Sequence, residues 1–163
     1  MRGDHFSSDV QELVRAFAKH GVRFLLVGGE AVIYHGYARL TGDVDFWYEQ
    51  TDENAARLFA ALQEFWDGRV PGVAAQAELL EPNVVVQFGR PPHRVDLISV
   101  IDGVAFEEAW PYRVEEGLDL ATGVRVALPL IGLAALVKNK RASGRHKDLD
   151  DVEHLEPLLS RPA

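Results

Sequence analysis

The sequence predicts a mixed α/β fold of the α+β class, with a central mixed sheet flanked by helices and a helical C-terminal end. Three observations carry that expectation. Helical and strand-like apolar patterns alternate through the first half of the chain, two strand pairs separated by turn residues follow, and the remainder keeps helical spacing. With 163 residues, 47% of them hydrophobic, the chain has the size and apolar content of one domain spanning 1–163. No internal repeat or long linker divides it.

Ser8 and Gln11 mark the start of an amphipathic helix in which Val10, Leu13, Val14 and Phe17 recur at helical spacing, and Gly21 closes it. Residues 22–27 form a short apolar run that reads as a strand. It leads into Gly28-Gly29 at a strand-to-helix corner, after which Ala31, Val32, Tyr34 and His35 suit a brief helix stopped at Gly36. Residues 44–48 are β-branched and aromatic, a second strand, and Thr51 starts a helix whose Ala55, Leu58, Leu62, Phe65 and Trp66 face inward. Residues 68–82 carry no strong pattern. The runs 84–88 and 95–101 read as a hairpin around Gly89-Arg90-Pro91-Pro92. A short helical piece at 105–110 and a strand pair within 112–128 come next. Pro129 is expected to open a helix running to about Ser143, because a missing N–H is harmless in a first turn. A last helix is expected from near Asp148.

Composition narrows the function classes. The absence of cysteine excludes disulfide staples, thiolate zinc sites and cysteine nucleophiles, and fits a reducing cytoplasm. Residues 1–8 are polar and carry no signal segment, and the apolar runs 22–27 and 128–137 fall well short of the roughly 20 residues that cross a bilayer. A cytoplasmic protein without a membrane partner is expected. The formal net charge of −8 repels bulk nucleic acid, so a polynucleotide partner needs a local basic surface. Lys138, Lys140, Arg141, Arg145 and Lys147 offer one, or else form the basic end of a solvated helix. The histidines show no metal-ligand spacing, so His35 and His93 suit local hydrogen bonding.

Asp43 and Asp45 stand two apart at the start of an extended segment, so the strand period puts both carboxylates on one face. Such a pair suits a hard divalent cation, since Mg²⁺ takes oxygen ligands and is typically held by one or two carboxylates plus substrate phosphates. Asp-x-Asp alone is equally the pattern of a solvated loop. Gly28-Gly29 strengthens the chemical reading, because glycine lets a ligand approach the backbone where helix N–H groups receive phosphate oxygens; by itself it is an ordinary tight turn. Arg39 has three candidate partners: Asp45, Asp96 or a phosphate. Thr41 suits either a turn or a phosphate contact. Asp96 lies among Val95, Leu97 and Ile98 in a segment suited to a buried strand, where an ionised group needs a metal or an ion pair with Arg94 or Arg39.

Residues 27–46, with Gly28-Gly29, Arg39, Thr41, Asp43 and Asp45, resemble the Gly-Gly…Arg-x-Thr-x-Asp-x-Asp signature of the DNA polymerase β-like nucleotidyltransferase superfamily. The branch that looks most similar contains the AbiEii-type abortive-infection toxins and uncharacterised relatives. Val95-Asp96-Leu97 is similar to the single-acid motif on a later strand, and residues 140–149 resemble the Lys…Lys-Asp segment near the end of these proteins. The resemblance covers about 22–155. It implies a nucleotidyltransferase-type fold in which Gly28 and Gly29 contact a triphosphate and Asp43, Asp45 and Asp96 hold Mg²⁺ or Mn²⁺, with Asp96 also helping to deprotonate the attacking hydroxyl.

Helix geometry adds that Lys140 falls on the inward face with Leu133, Leu136 and Val137, making it the better phosphate ligand, whereas Lys138 points away. Asp148 projects with Val152 and Leu155, Asp150 faces outward and Asp151 lies near the edge. Asp148 is then either a helix N-cap or an active-site group, and its nearness to Lys140 in the pattern of the family it resembles implies that it orients this lysine.

The function expected is transfer of a nucleoside monophosphate from an NTP to a hydroxyl on RNA, protein or a small molecule. The resemblance also implies a toxin role with an antitoxin partner. The alternatives are a catalytically silent member of the fold that binds nucleotide or protein, and a metal-dependent phosphohydrolase or nuclease.

Overall fold

Alternation along the two central strands sets the architecture. In the computed structural model, which describes residues 1–161, Phe24 and Leu26 of strand β1 (Phe24–Val27) and Val44, Phe46 and Tyr48 of β2 (Asp43–Tyr48) pack into one apolar cluster. Its other wall is α1 (Ser8–His20), through Val10, Leu13, Val14 and Phe17, and α3 (Asp52–Phe65), through Leu58 and Leu62. Leu25, Val27 and Trp47 point the other way, into a second cluster with Ala31 and Val32 of α2 (Gly28–Tyr34). The same cluster takes Leu136 and Val137 of α5 (Leu133–Ser143) and Val152 and Leu155 of α6 (His146–Leu155). The strand period of two therefore buries the sheet centre on both faces.

The remaining strands are β3 (Val85–Phe88), β4 (Arg94–Ile98), β5 (Val114–Asp119) and β6 (Arg125–Leu130), with α4 (Phe106–Ala109) between β4 and β5. The six strands among the described residues form one sheet in the order β3-β4-β2-β1-β6-β5. β2 runs parallel to β4, and β1 parallel to β6, while the other pairings are antiparallel. This is the mixed sheet and helical C-terminal end that the sequence predicts.

Local chemistry moves several boundaries. Ser7, not Ser8, caps α1, accepting a hydrogen bond from the Val10 N–H at 3.3 Å, and Gln11 donates instead to the carbonyls of Gly3 and Phe6. Gly21 ends α1 in the left-handed conformation, with φ of 66°, as its position predicts. The first strand begins at Phe24, since the Asn54 side chain takes both the N–H (2.7 Å) and the carbonyl (2.9 Å) of Arg23. Thr51 caps α3 as expected. The weakly patterned stretch holds a short 3₁₀ helix, Gln76–Leu80, and β4 stops at Ile98 rather than at 101.

Pro129 does not open a helix. It lies in β6 opposite Glu115, and α5 starts at Leu133 after Gly132. The missing N–H is tolerated because pairing of β6 with β1 is confined to Leu26 and Leu130, so Pro129 sits where β6 needs partners on one side only. No helix among the described residues is long and apolar enough to cross a membrane.

Candidate active site

The register of β2 against β4 assembles the acids. Asp45 lies directly opposite Asp96, and Asp43 opposite Arg94. All three carboxylates share the sheet face of Trp47 and Ile98, because Val44, Phe46, Val95 and Leu97 turn to the other side. Oxygens of Asp43, Asp45 and Asp96 come within 4.8 Å of one another.

Glycine makes room for this arrangement. Gly28 has φ of 65°, and a Cβ there would collide with the Asp45 carboxylate; a Cβ on Gly29 would collide with the Thr41 side chain. Gly28 is thus packed against Asp45 itself, and Gly29 against Thr41 and Arg39. The Thr41 hydroxyl donates to the Asp43 carbonyl at 3.1 Å and lies 3.4 Å from its carboxylate, so it holds the turn entering β2.

The negative charge here is incompletely compensated. Arg94 Nη2 donates to Asp43 Oδ2 at 2.6 Å and to Asp96 Oδ2 at 3.1 Å, and Gln87 Nε2 donates to Asp96 Oδ2 at 3.3 Å. Arg94 Nε lies 2.9 Å from Asp96 Oδ1, an ion-pair contact in which the N–H is misaligned, so that both buried atoms lack a hydrogen bond. Asp45 makes neither a side-chain hydrogen bond nor an ion pair among the described residues. Burial, reinforced by the charges of Asp43 and Asp96 and only partly offset by Lys140 and Arg94, pushes its pKa up to about 7. A divalent cation fits this donor set. It would supply the positive charge that Asp45 lacks and a partner for Asp96 Oδ1, on an oxygen-only cluster suited to a hard ion.

Beside the acids runs a second, fully paired cluster. Arg39 grips Asp151 with Nε at 2.7 Å and Nη2 at 2.9 Å, and Lys140 Nζ lies 3.0 Å from both Asp148 and Asp151. Arg145 Nε closes the chain on Asp148 at 2.6 Å. Lys140 is on the inward face, as its helical position predicts, and is 4% exposed; Asp148 and Asp151 are wholly buried. Burial alone would raise the Asp148 pKa, but hydrogen bonds from Arg145 and Lys140 outweigh it and hold the carboxyl below the ordinary aspartate value.

Several expectations change here. Arg39 pairs with Asp151, not with Asp45 or Asp96. Asp151 is a central buried group rather than an edge residue, because α5 and the loop before β2 both close over it. Asp148 orients Lys140 and is no N-cap; Arg145 occupies that position. Of the basic residues 138–147, Lys138 pairs with Glu108, Arg141 with Glu156 and Arg145 with Asp148, and Lys140 is buried, so the apparent basic surface is largely neutralised. His35 Nε2 meets the Ile131 carbonyl at 2.8 Å, a hydrogen bond as expected but with a partner 96 positions away. Two clefts of about 470 and 450 Å³ share no residue with the acids.

Arg94 pairs with Asp96, one of the two ion pairs the sequence offers, and also reaches Asp43, while Asp151 joins the second cluster through Arg39 and Lys140. Arg94 is two positions before Asp96 and so on its face of the strand, and Asp151 is three after Asp148, one helical turn on; both spacings were available as signals.

No protein-family model matches the chain, and no curated protein does. Among solved structures, the chain is similar to an antigenic nucleotidyltransferase-like protein from Paracoccidioides brasiliensis, with TM-score 0.53 and 18% identity over 93% of this chain and 74% of that one. A protein from Thermotoga maritima, provisionally named a nucleotidyltransferase, gives TM-score 0.47 and 11% identity over 92% of this chain and 89% of that one. The P. brasiliensis match extends across nearly the whole chain, and the fold built here around Asp43, Asp45 and Asp96 is the nucleotidyltransferase-like mixed α/β fold.

Proposed function

We propose that residues 1–163 form one cytoplasmic nucleotidyltransferase domain that moves a nucleoside monophosphate from an NTP to a hydroxyl acceptor. The observation that carries this reading is the register of Asp45 against Asp96, with Asp43 completing a trio within 4.8 Å on this fold. Asp43, Asp45 and Asp96 would hold Mg²⁺ or Mn²⁺. When bound, the cation supplies charge stabilisation for the phosphoryl oxygens and the leaving pyrophosphate. The chain's own groups do the rest. Asp96, with Oδ1 free of hydrogen bonds, takes the proton of the attacking hydroxyl as its oxygen bonds to the α-phosphorus and the bond to pyrophosphate breaks. Gly28 and Gly29 bring backbone close to the triphosphate, and Thr41 fixes Asp43 in place.

Arg39, Lys140 and Asp148 act in this reading through the packing of α5 and α6 against the site, with Arg145, the more exposed cation of that cluster, at its outer end. RNA, protein or a small molecule serves as acceptor, and a toxin role with an antitoxin partner is a narrower form of the same proposal. The test is incubation with each α-labelled NTP, Mg²⁺ or Mn²⁺, and either total RNA or the protein itself. Transfer of label with release of pyrophosphate is expected. Background levels of both under every condition would remove the proposal in favour of a nucleotide- or protein-binding role, and nucleotide release from phosphoesters without NTP use would favour a phosphohydrolase.

A further inference from the structure

Among the described residues Arg94 is the one cation that touches the acidic trio directly. Its guanidinium reaches Asp43 Oδ2 at 2.6 Å, Asp96 Oδ2 at 3.1 Å and Asp96 Oδ1 at 2.9 Å, spanning two of the three carboxylates. Asp45, the third, is left without it. Mg²⁺ binds carboxylate oxygens at roughly 2.0–2.1 Å and leaves a guanidinium no room on the same lone pairs. The arginine is also poorly locked: its side chain is 31% exposed and one of its three contacts is misaligned. Lys140 is the contrast, 5% exposed at the side chain and held at 3.0 Å by each of two wholly buried carboxylates. Of the two, only Arg94 has both a reason and the freedom to leave.

We propose that Arg94 is a displaceable internal counter-ion, competing with the divalent cation for the oxygens of Asp43 and Asp96 and turning outward when the cation binds. The idea rests on the reading of the trio as a cation centre. In the cation-free protein Arg94 relieves the repulsion between Asp43 and Asp96, and it lowers the apparent cation affinity by the fraction of molecules in which it is bound. It thereby favours a cation that arrives with its own anionic ligand over a free one, because the released guanidinium is then available to that anion.

The experiment measures Mn²⁺ binding by electron paramagnetic resonance in the wild type, Arg94→Gln, Arg94→Lys and Asp45→Asn, each first checked for folding by circular dichroism. Arg94→Gln should bind Mn²⁺ about tenfold more tightly, with Arg94→Lys in between. A second measurement needs no variant: titrating the ¹⁵N-labelled wild type with Mg²⁺ should shift the Arg94 Nε–H resonance and speed its exchange with water. Equal affinity of wild type and Arg94→Gln, or an Arg94 resonance that stays fixed as the site fills, overturns the inference. An affinity gain without that shift would reflect loss of charge alone and overturns it too. If Mn²⁺ binds neither wild type nor Arg94→Gln, or still binds Asp45→Asn as tightly as wild type, the cation-centre reading itself falls. Loss of binding in Asp45→Asn alongside unchanged affinity in Arg94→Gln leaves that reading standing and removes only the role of Arg94.

Discussion

Two charged clusters meet on the α5/α6 side of the sheet, built from the same residue types and brought to opposite states. Asp148 and Asp151 are wholly buried, yet each is gripped by two cations, from Lys140 and from Arg145 or Arg39. Among the described residues Arg94 is the one cation paired with the trio Asp43, Asp45 and Asp96, it reaches only Asp43 and Asp96, and the pKa of Asp45 is raised to about 7. Burial by itself does not make an aspartate reactive. The surplus of acids over cations does, because an uncompensated carboxylate in a poorly solvated place has free energy to gain from a metal ion. The paired cluster ties α5, α6 and the loop before β2 into one unit, and the acidic trio is left with more negative than positive charge.

Substitutions break this contrast in a graded way. The largest effect is expected on activity: Asp43→Ala or Asp45→Ala should lower nucleotide transfer by roughly 10⁴-fold, as for loss of one member of a cooperating catalytic set, while the far-ultraviolet dichroism is unchanged. Full activity in the double variant would show that the trio is not the reactive centre. Next comes Asp151→Ala, which strands Arg39 and leaves Lys140 with Asp148 alone, and should cost about 3–5 kcal/mol in urea unfolding. A loss below about 1 kcal/mol would mean that the second cluster is not a structural clamp.

The pH response separates the two clusters further. The folded-state pKa of Asp45, about 7, lies above the ordinary aspartate value of 3.8, so between these limits the folded protein binds more protons than the unfolded chain. Its contribution is therefore complete below pH 4 and is lost as pH rises through 7. In a chelator, Asp45→Asn should stabilise the protein by up to about 4 kcal/mol at pH 8 and by little at pH 4. A gain of equal size at both values would contradict the assignment. Asp148 has the reverse sign: its depressed pKa adds stability above the unfolded value that is lost as pH falls through the folded one. The smallest effect is expected at the exposed Lys138–Glu108 pair, where Lys138→Ala should change stability by no more than about 0.5 kcal/mol. A larger loss there would blur the distinction between buried and surface pairing.

Much of the site was legible because it depends on local periodicity. The strand period placed Asp43 and Asp45 on one face, and the helical period turned Lys140 and Asp148 inward and Lys138 outward. Pro129 misled because the same residue suits a helix start and a strand whose second neighbour is only beginning to pair, and nothing within a few residues tells these apart. Asp151 was read as an edge residue because the helical period locates it on α6 without revealing that Arg39, far away in sequence, arrives to neutralise it.

The sequence by itself determined the order and type of most elements, the apolar faces that bury the sheet on both sides, and the grouping of acids by face, since all follow from side-chain spacing along one strand or helix. Only the tertiary structure decided that Asp45 stands opposite Asp96 and Arg94 opposite Asp43, and that Arg39 closes on Asp151. β2 and β4 are parallel and not consecutive in the chain, so no single turn fixes their register. It is set by the packing of both sheet faces at once, because a one-residue slip would carry Val95 and Leu97 out of the core and Asp96 into it.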